Sequence, residues 1–336
     1  MVAPVSNANV EIMADLEASW GVPKATIEGK KFGYTEEGFD PGQNLLPNEE
    51  LDGTRRPKPR VPGDRDNKWS LTHYASLQTL PFFWTWILGK RASSGGGPYT
   101  HINTREDDSC ILPSAIVQKK IPYCGVGVDP LFIRHLGARV GQATIEIKGA
   151  GYYSINCSGE FATHDESFTT TMDASPVDWV GAIKIHHGML TKALIEIDGV
   201  ASAYARFSDL KIEVTNNLVT NDRGVGDGGA YSSLQPMLMG VSVSGNLRVT
   251  SPGDLGITGD SSVPHSLSFM WDFDGTYSHK IELGTLQFPI KRPMAKGQGI
   301  LSIPFQSFGF EDPTATIPSA CRVTTINALA AAGAYD

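Results

Sequence analysis

The residues that could do chemistry are few, and none is spaced for it. Adjacent His186 and His187 form the densest pair of metal-ligating side chains. Neighbours on a strand point to opposite faces, so the two cannot share one ion. The other histidines show no ligand spacing with Cys, Asp or Glu. "REDD" at Arg105–Asp108 reads as a solvated acidic turn rather than a cation site. "GVGDGG" at Gly224–Gly229 fits G-x-G-x-x-G, but a dinucleotide needs that loop between a strand and a helix. Here it follows "TNNLVTNDR" and precedes "AYSSLQP", so it reads as a flexible loop. Ser242 in "GVSVS" lacks the second glycine of a nucleophile elbow. Asn156 in "NCS" fits a glycosylation acceptor without a secretory context. The residues therefore point to no catalysis, no metal and no cofactor.

The four cysteines, Cys110, Cys124, Cys157 and Cys321, have no C-x-x-C spacing and read as reduced, buried thiols. The first twenty residues carry acids and no basic-then-apolar order, so they do not read as a signal peptide. "LPFFWTWILG" at Leu80–Gly89 is far shorter than the ~20 residues that span a bilayer. An intracellular protein, assembled in the cytoplasm, is expected. A net charge of −8 argues against a surface built to grip nucleic acid. The one compact basic stretch is "TRRPKPR", in which Arg55, Arg56, Lys58 and Arg60 alternate with prolines that keep it extended. It lacks interleaved aromatics for base stacking, and in an acidic protein it suits an acidic surface on another copy.

The elements that would position these residues are mostly strands. With 36 Gly and 21 Pro in 336 residues, short strands and turns are favoured over long helices. "TIEIK" sets Ile145 and Ile147 against Glu146. "LIEID" sets Ile195 and Ile197 against Glu196. "VSVSGNLRVT" sets Val241, Val243, Leu247 and Val249 against Ser242, Ser244 and Asn246. "LSFMWDF" and "ILSIPF" alternate likewise. Period-two patterning with one apolar face marks antiparallel sheets packed as a sandwich or barrel. Only "LPFFWTWILG" reads as a short helix, with Pro81 in its first turn and Gly89 as its stop. Residues 1–65, rich in Gly, Pro and charge, read as an extended arm and loop.

One phrase occurs twice. "KGAGYYSI" at Lys148–Ile155 and "KGQGILSI" at Lys296–Ile303 share five of eight residues at a separation of 148. Leu136–Gly137 and Leu283–Gly284 precede them at nearly equal distances. This favours an internal duplication, with β modules at 66–170 and 171–312 and a tail at 313–336.

In pattern and order the chain resembles the tail tube (major tail) proteins of long, non-contractile bacteriophage tails. The residues that carry the likeness are the Gly/Pro-rich arm with "GFDPGQNLL" and "DGTRRPKPR", the helix "PFFWTWILG", the loop "SSGGGPYTHINT" and the strand "CILPSAIVQKK". In the second half they are "ARFSDLKIEVTNNL", "GVGDGGAY", "MGVSVSGNLRVT" and "IELGTLQFPIKRPMAKGQGILSIPFQSFGFED". The resemblance implies β-sandwich modules whose inner sheets join into a barrel, in rings stacked as a hollow tube in the virion. It further implies self-association, other tail proteins at the tube ends, and a tape-measure protein and double-stranded DNA transiently in the lumen. A duplicated chain suits a trimeric, pseudo-six-fold ring; a single module with insertions suits a hexamer. Arg55, Arg56, Lys58 and Arg60 are then the expected ring-to-ring contacts, and Glu146, Glu196, Ser242, Ser244 and Asn246 the candidate lumen lining. A capsid decoration or tail-tip protein that binds a host surface is the alternative.

Overall fold

Alternating apolar residues make stable strands where a second layer covers their apolar face. The computed structural model describes residues 9–48, 58–106, 112–123, 129–148, 151–186, 196–197, 200–201, 206–224, 230–248, 264–291, 302–312, 319–330 and 335. Among these are nineteen strands and one helix, in sheets that share a long strand, so the chain is mainly β.

The smaller sheet is built on β1 (Glu11–Leu16), which pairs with β2 (Lys30–Lys31) on one side and β7 (Ala115–Ile121) on the other. β7 pairs with the first half of β8 (Leu131–Lys148), whose far side takes β10 (Thr163–Phe168). β11 (Val177–Asp178) adds in parallel to β2. β1 and β2 fall within the stretch read as an extended arm. They fold because "IMA" of β1 offers three consecutive apolar residues, and Ile12 and Ala14 join the core with Phe32. Gly21, Pro23, Gly29 and Gly33 of that stretch lie in connections, whereas Gly38, Pro41 and Gly42 lie within a strand.

The larger sheet begins with β3 (Glu36–Leu46) and β4 (Val61–Tyr74), a long antiparallel hairpin. Next come β9 (Ser154–Glu160), the second half of β8, β14 (Arg206–Thr215), β15 (Gly240–Arg248), β18 (Ser302–Phe310) and the end of β17 (Ser278–Gln287). β17 also carries β16 (His265–Asp272), followed by β12 (Glu196–Ile197) and β13 (Val200–Ala201). Its other side takes β19 (Arg322–Asn327), then β6 (Tyr99–Arg105) and β5 (Gly89–Ser94).

Two sets of six strands within this plan have the same connectivity. In the first, β3 pairs with β4, β4 with β9, β9 with β8, and β8 with both β7 and β10. In the second, β14 pairs with β15, β15 with β18, β18 with β17, and β17 with both β16 and β19. All ten pairings are antiparallel and arise in the same chain order. Even a register skip recurs. Ala115↔Ala138 is followed by Val117↔His135, and His265↔Leu286 by Leu267↔Leu283. Arg139↔Glu160 and Gln287↔Phe308 are likewise equivalent, each residue 148 before its counterpart. The Leu-Gly pairs sit 147 apart, one residue out of this register, and Gly137 alone of the two glycines has a positive φ, +72°. The first set starts at β3, inside the stretch read as the arm. The second ends at β19, inside the stretch read as the tail.

The helix forms as its composition requires. α1 (Leu80–Leu88) is buried at all nine residues, as a helix apolar on every side must be. Pro81 occupies its first turn, and Gly89, at φ +103°, ends it by donating its N–H to Thr85 O. Trp86 stacks on Trp69 of β4, and Phe83 meets Phe32 edge-on.

Candidate functional site

The strands of the larger sheet present one apolar and one polar face. Leu71, Ile155, Cys157, Ala143, Ile145, Ile212, Val214, Val241, Val243 and Ile303 are buried on the first. Directly paired residues share a face, so the register gives the composition of the other. One row across eight strands reads Glu36, Thr72, Asn156, Thr144, Glu213, Ser242, Phe308 and Gln287. The neighbouring row reads Tyr74, Ser154, Glu146, Lys211, Ser244 and Gln306. These two rows hold three carboxylates and one ammonium; the rest are hydroxyls, amides and two aromatics. Lys211 Nζ lies 2.8 Å from Glu213 Oε2, and Gln142 Nε2 donates to Glu213 Oε1 at 2.7 Å. The face is thus weakly acidic, and its charges are partly tied to one another.

Glu146, Ser242, Ser244 and Asn246 all fall on this face, as the alternation of their strands dictates. Glu196 does not join them. It sits on β12, separated from β15 by β18, β17 and β16. Thr72, Thr144, Asn156, Lys211 and Glu213 complete the surface. The alternation in "SLTHY", "TIEIK", "SINCS" and "DLKIEVT" is the signal that marks them.

The β3–β4 hairpin outruns its neighbours. β9 accompanies β4 only as far as Lys68↔Glu160, whereas β3 and β4 continue pairing to Leu46↔Val61. Its base is held by Asp66, which accepts from Lys68 Nζ at 2.7 Å and from Tyr231 OH at 3.3 Å. The Lys68 hydrogen bond keeps the Asp66 carboxyl below its ordinary range. Arg223 lies 4.5 Å over the Tyr231 ring. Leu45, Leu46 and Val61 near its end are more than half exposed. Of the basic stretch, Lys58 and Arg60 lead directly into β4 from the loop of this hairpin; Arg55 and Arg56 lie outside the described residues.

Among the described residues a serine–histidine contact lies elsewhere. His101 Nδ1 lies 2.8 Å from Ser93 Oγ, while its Nε2 faces Leu329 O at 2.9 Å and Asn327 Oδ1 at 3.2 Å. These bonds stitch β5, β6 and β19 together. The third partner is an amide, which cannot stabilise an imidazolium as a carboxylate does. A cleft of about 520 Å³ is lined by Met13, Lys31, Asp173 and Asp178 and lies apart from that pair. His186 is described and His187 is not. Most of "GVGDGG", with Cys110 and Cys124, also lies outside the described residues, while Cys157 and Cys321 are free and buried. Among the described residues no group of three or more His, Cys, Asp or Glu could hold a metal ion, and no helix is long and apolar enough to cross a membrane.

A family model described as phage tail tube protein matches residues 7–311 of the 336. The chain belongs to the phage tail tube protein family. That makes it a structural component of the virion tail. No curated protein matches the chain.

Proposed function

We propose that this tail tube protein is the repeating subunit of a long, non-contractile tail, closing into rings that stack around a bore for DNA. The observation that carries this reading is the polar sheet face, continuous over four strands of each six-strand set. A bore that neutralised many phosphates would hold DNA by counterion release. A face of hydroxyls and amides with a slight carboxylate excess leaves the duplex free to slide. Glu146, Ser242, Ser244 and Asn246 line the bore in this reading, and Glu196 lies off it. Before DNA enters, a tape-measure protein occupies the same space, and other tail proteins close the ends. The subunit is assembled in the host cytoplasm, without a membrane partner, and works by contact alone, without enzymatic activity or cofactor.

The repeated connectivity supports an internal duplication, hence three chains and six modules per ring. Arg55, Arg56, Lys58 and Arg60, which precede β4 in the sequence, bridge to acidic surfaces of the adjoining ring. Electron microscopy of the purified protein at high concentration, viewed down the particle axis, tests the reading. Hollow rings with three-fold symmetry and six similar lobes are expected. True six-fold rings would keep the tube and discard the trimer. Particles that never associate would favour a decoration or tail-tip role.

A further inference from the structure

Past Lys68↔Glu160, among the described residues, the β3–β4 hairpin continues with no further strand beside β4. Tyr231 and Arg223 brace it at Asp66 and Asp64, short of its end. That end is apolar: Leu45 pairs with Pro62 and Leu46 with Val61, and all four are exposed. A two-stranded hairpin has little to hold it in water unless another surface covers it. At the other end of the same strands Tyr74 and Tyr152 are also exposed, their rings 4.8 Å apart. We infer that these two ends meet between copies: the hairpin end of one copy laps over the Tyr74–Tyr152 pair of a second, with Leu45 and Pro62 as the contacting face. This rests on the proposed stacking of rings and names the surfaces that perform it.

The strands set the faces. Phe39 of β3 stacks on Trp69 and His135, so its side of β3 is the one the core covers. Side chains alternate along a strand, which puts Leu45 on that side too. The register skip near the end places its extra residue on β4, between Arg65 and Pro62, and leaves the alternation of β3 unbroken. Leu45 and Pro62 thus carry the core side of the sheet beyond the buried Trp69 to where it is uncovered. Tyr74 lies on the opposite, polar face, in the row with Ser154 and Glu146. Tyr152 shares that face, because Tyr153 beside it is buried in the core. One end of the sheet overhangs with an apolar core side, and the other offers an aromatic pair on its polar side. Two such ends overlap as a lap joint.

Charge agrees with this assignment. Arg60 precedes Val61 at the overhanging end, whereas Glu36, opposite Thr72, and Glu146 flank the tyrosines on the polar face. Opposite signs therefore meet at the joint. β4 is 14 residues long, so at ~3.3 Å per residue its two ends lie roughly 40 Å apart. A contact between two different ends of identical chains repeats without closing, as a filament needs. In the proposed tube the hairpin then lies just inside the bore of the adjoining ring, because Tyr74 belongs to the face that lines it.

Leu45→Asp and Tyr152→Asp in the full chain test the contact. Both positions are exposed, so circular dichroism and thermal melting should match the wild type. Under the electron microscope each variant should give rings that do not stack, where the wild type gives tubes. Leu46→Asp, on the other side of the hairpin, should still give tubes. Under oxidation, Leu45→Cys chains mixed with Tyr152→Cys chains should form covalent dimers holding one of each, above the wild-type background. Neither variant alone should do so. Tubes that survive both aspartates, or that form without the specific cross-link, would overturn the lap joint and leave the tube reading standing. Tubes lost equally with Leu46→Asp would overturn the choice of face on which the joint depends. Wild-type chains that stay monomeric would overturn both the joint and the tube.

Discussion

The indole rings of Trp69 and Trp86 lie 4.7 Å apart and 4° from parallel, and their N–H groups donate to consecutive carbonyls of β8. Trp86 Nε1 reaches Ala138 O at 2.9 Å and Trp69 Nε1 reaches Arg139 O at 3.0 Å. Those carbonyls mark the place where β8 leaves the smaller sheet for the larger one. The stacked pair therefore fixes the point at which the two sheets exchange a strand. Trp86→Phe keeps a ring and strands a buried carbonyl, at a cost of about 1–3 kcal/mol. Trp86→Ala opens a cavity as well and costs about 3–5 kcal/mol. Urea unfolding followed by circular dichroism should return that order. Equal losses would mean that the ring's packing contributes nothing beyond the hydrogen bond.

Asp15 and Lys30 tie the N-terminal strands to the rest. Lys30 Nζ lies 3.0 Å from Asp15 Oδ1, and both side chains are shut off from water. Asp15 also accepts the backbone N–H of Leu16 and of Glu28. Lys24 Nζ, 3.6 Å from Asp15 Oδ1, compensates the buried carboxylate only in part, so Lys30→Ala should cost up to about 3–5 kcal/mol. Replacing both with apolar residues, Asp15→Leu with Lys30→Met, should cost less than Lys30→Ala alone. A double variant at least as unstable as the single one would show that the carboxylate acts mainly through the two backbone bonds.

These two pairs show where sequence stops being informative. The composition of "LPFFWTWILG" is legible as a buried helix, because no side of it is polar. The partner of Trp86 is 17 residues upstream on a strand, and no local pattern announces it. β1 is harder to read still. Its alternation is broken by a buried Asp15, which the distant Lys30, with Lys24 and two backbone N–H groups, makes tolerable. For the polar face, period two in "VSVSGN" and "TIEIK" places Ser242, Ser244, Asn246 and Glu146 correctly on one side. Glu196 shows the same alternation, yet strand order, a tertiary property, sends it to another part of the sheet. The repeated Lys-Gly-x-Gly phrase has the separation of 148 at which strand registers also recur. The Leu-Gly pairs mislead by one residue, because their glycines answer to different local demands. At Gly137 a Cβ would come within 2.7 Å of Ala162 Cβ.

Three histidines make stability fall with acid. Burial pushes His73, His135 and His279 down to about 3, well below the ordinary imidazole. Each is therefore neutral in the folded chain at neutral pH. His73 donates Nδ1–H to Gly33 O at 2.8 Å and accepts from Thr79 at Nε2. Unfolded, these imidazoles take up protons near pH ~6.5. Between about pH 6.5 and 3 the unfolded chain binds more protons, so stability is complete above that window and is lost as pH falls through it. Each pKa unit corresponds to ~1.4 kcal/mol, so a loss of several kcal/mol is expected on reaching pH 4. Thermal melts from pH 8 to 4 should show a falling Tm, with the steepest part below about 6.5. His279→Gln should flatten the slope, at the expense of stability at pH 8. A Tm independent of pH over this range would show that the imidazoles are reached by water.

Ser242 and Ser244 decide whether the polar face meets DNA. Both are half-buried in the lone chain, next to Glu213 and Lys211 on β14. Ser242→Lys with Ser244→Lys adds two positive charges per copy without touching the buried Val241 and Val243. In an assembled tube those charges would line the bore as repeated rings. Duplex DNA would then be retained at low salt and released as salt rises, with a slope set by the phosphates neutralised. Short duplexes mixed with open tubes, treated with nuclease and sedimented, give the readout. Wild-type tubes should protect almost none, and the double variant should protect DNA in a salt-dependent way. Ser167→Lys, an exposed position on β10 away from this face, controls for binding to the outside. Retention by the control and the double variant alike, or by neither, would mean that this face of the sheet does not line the bore.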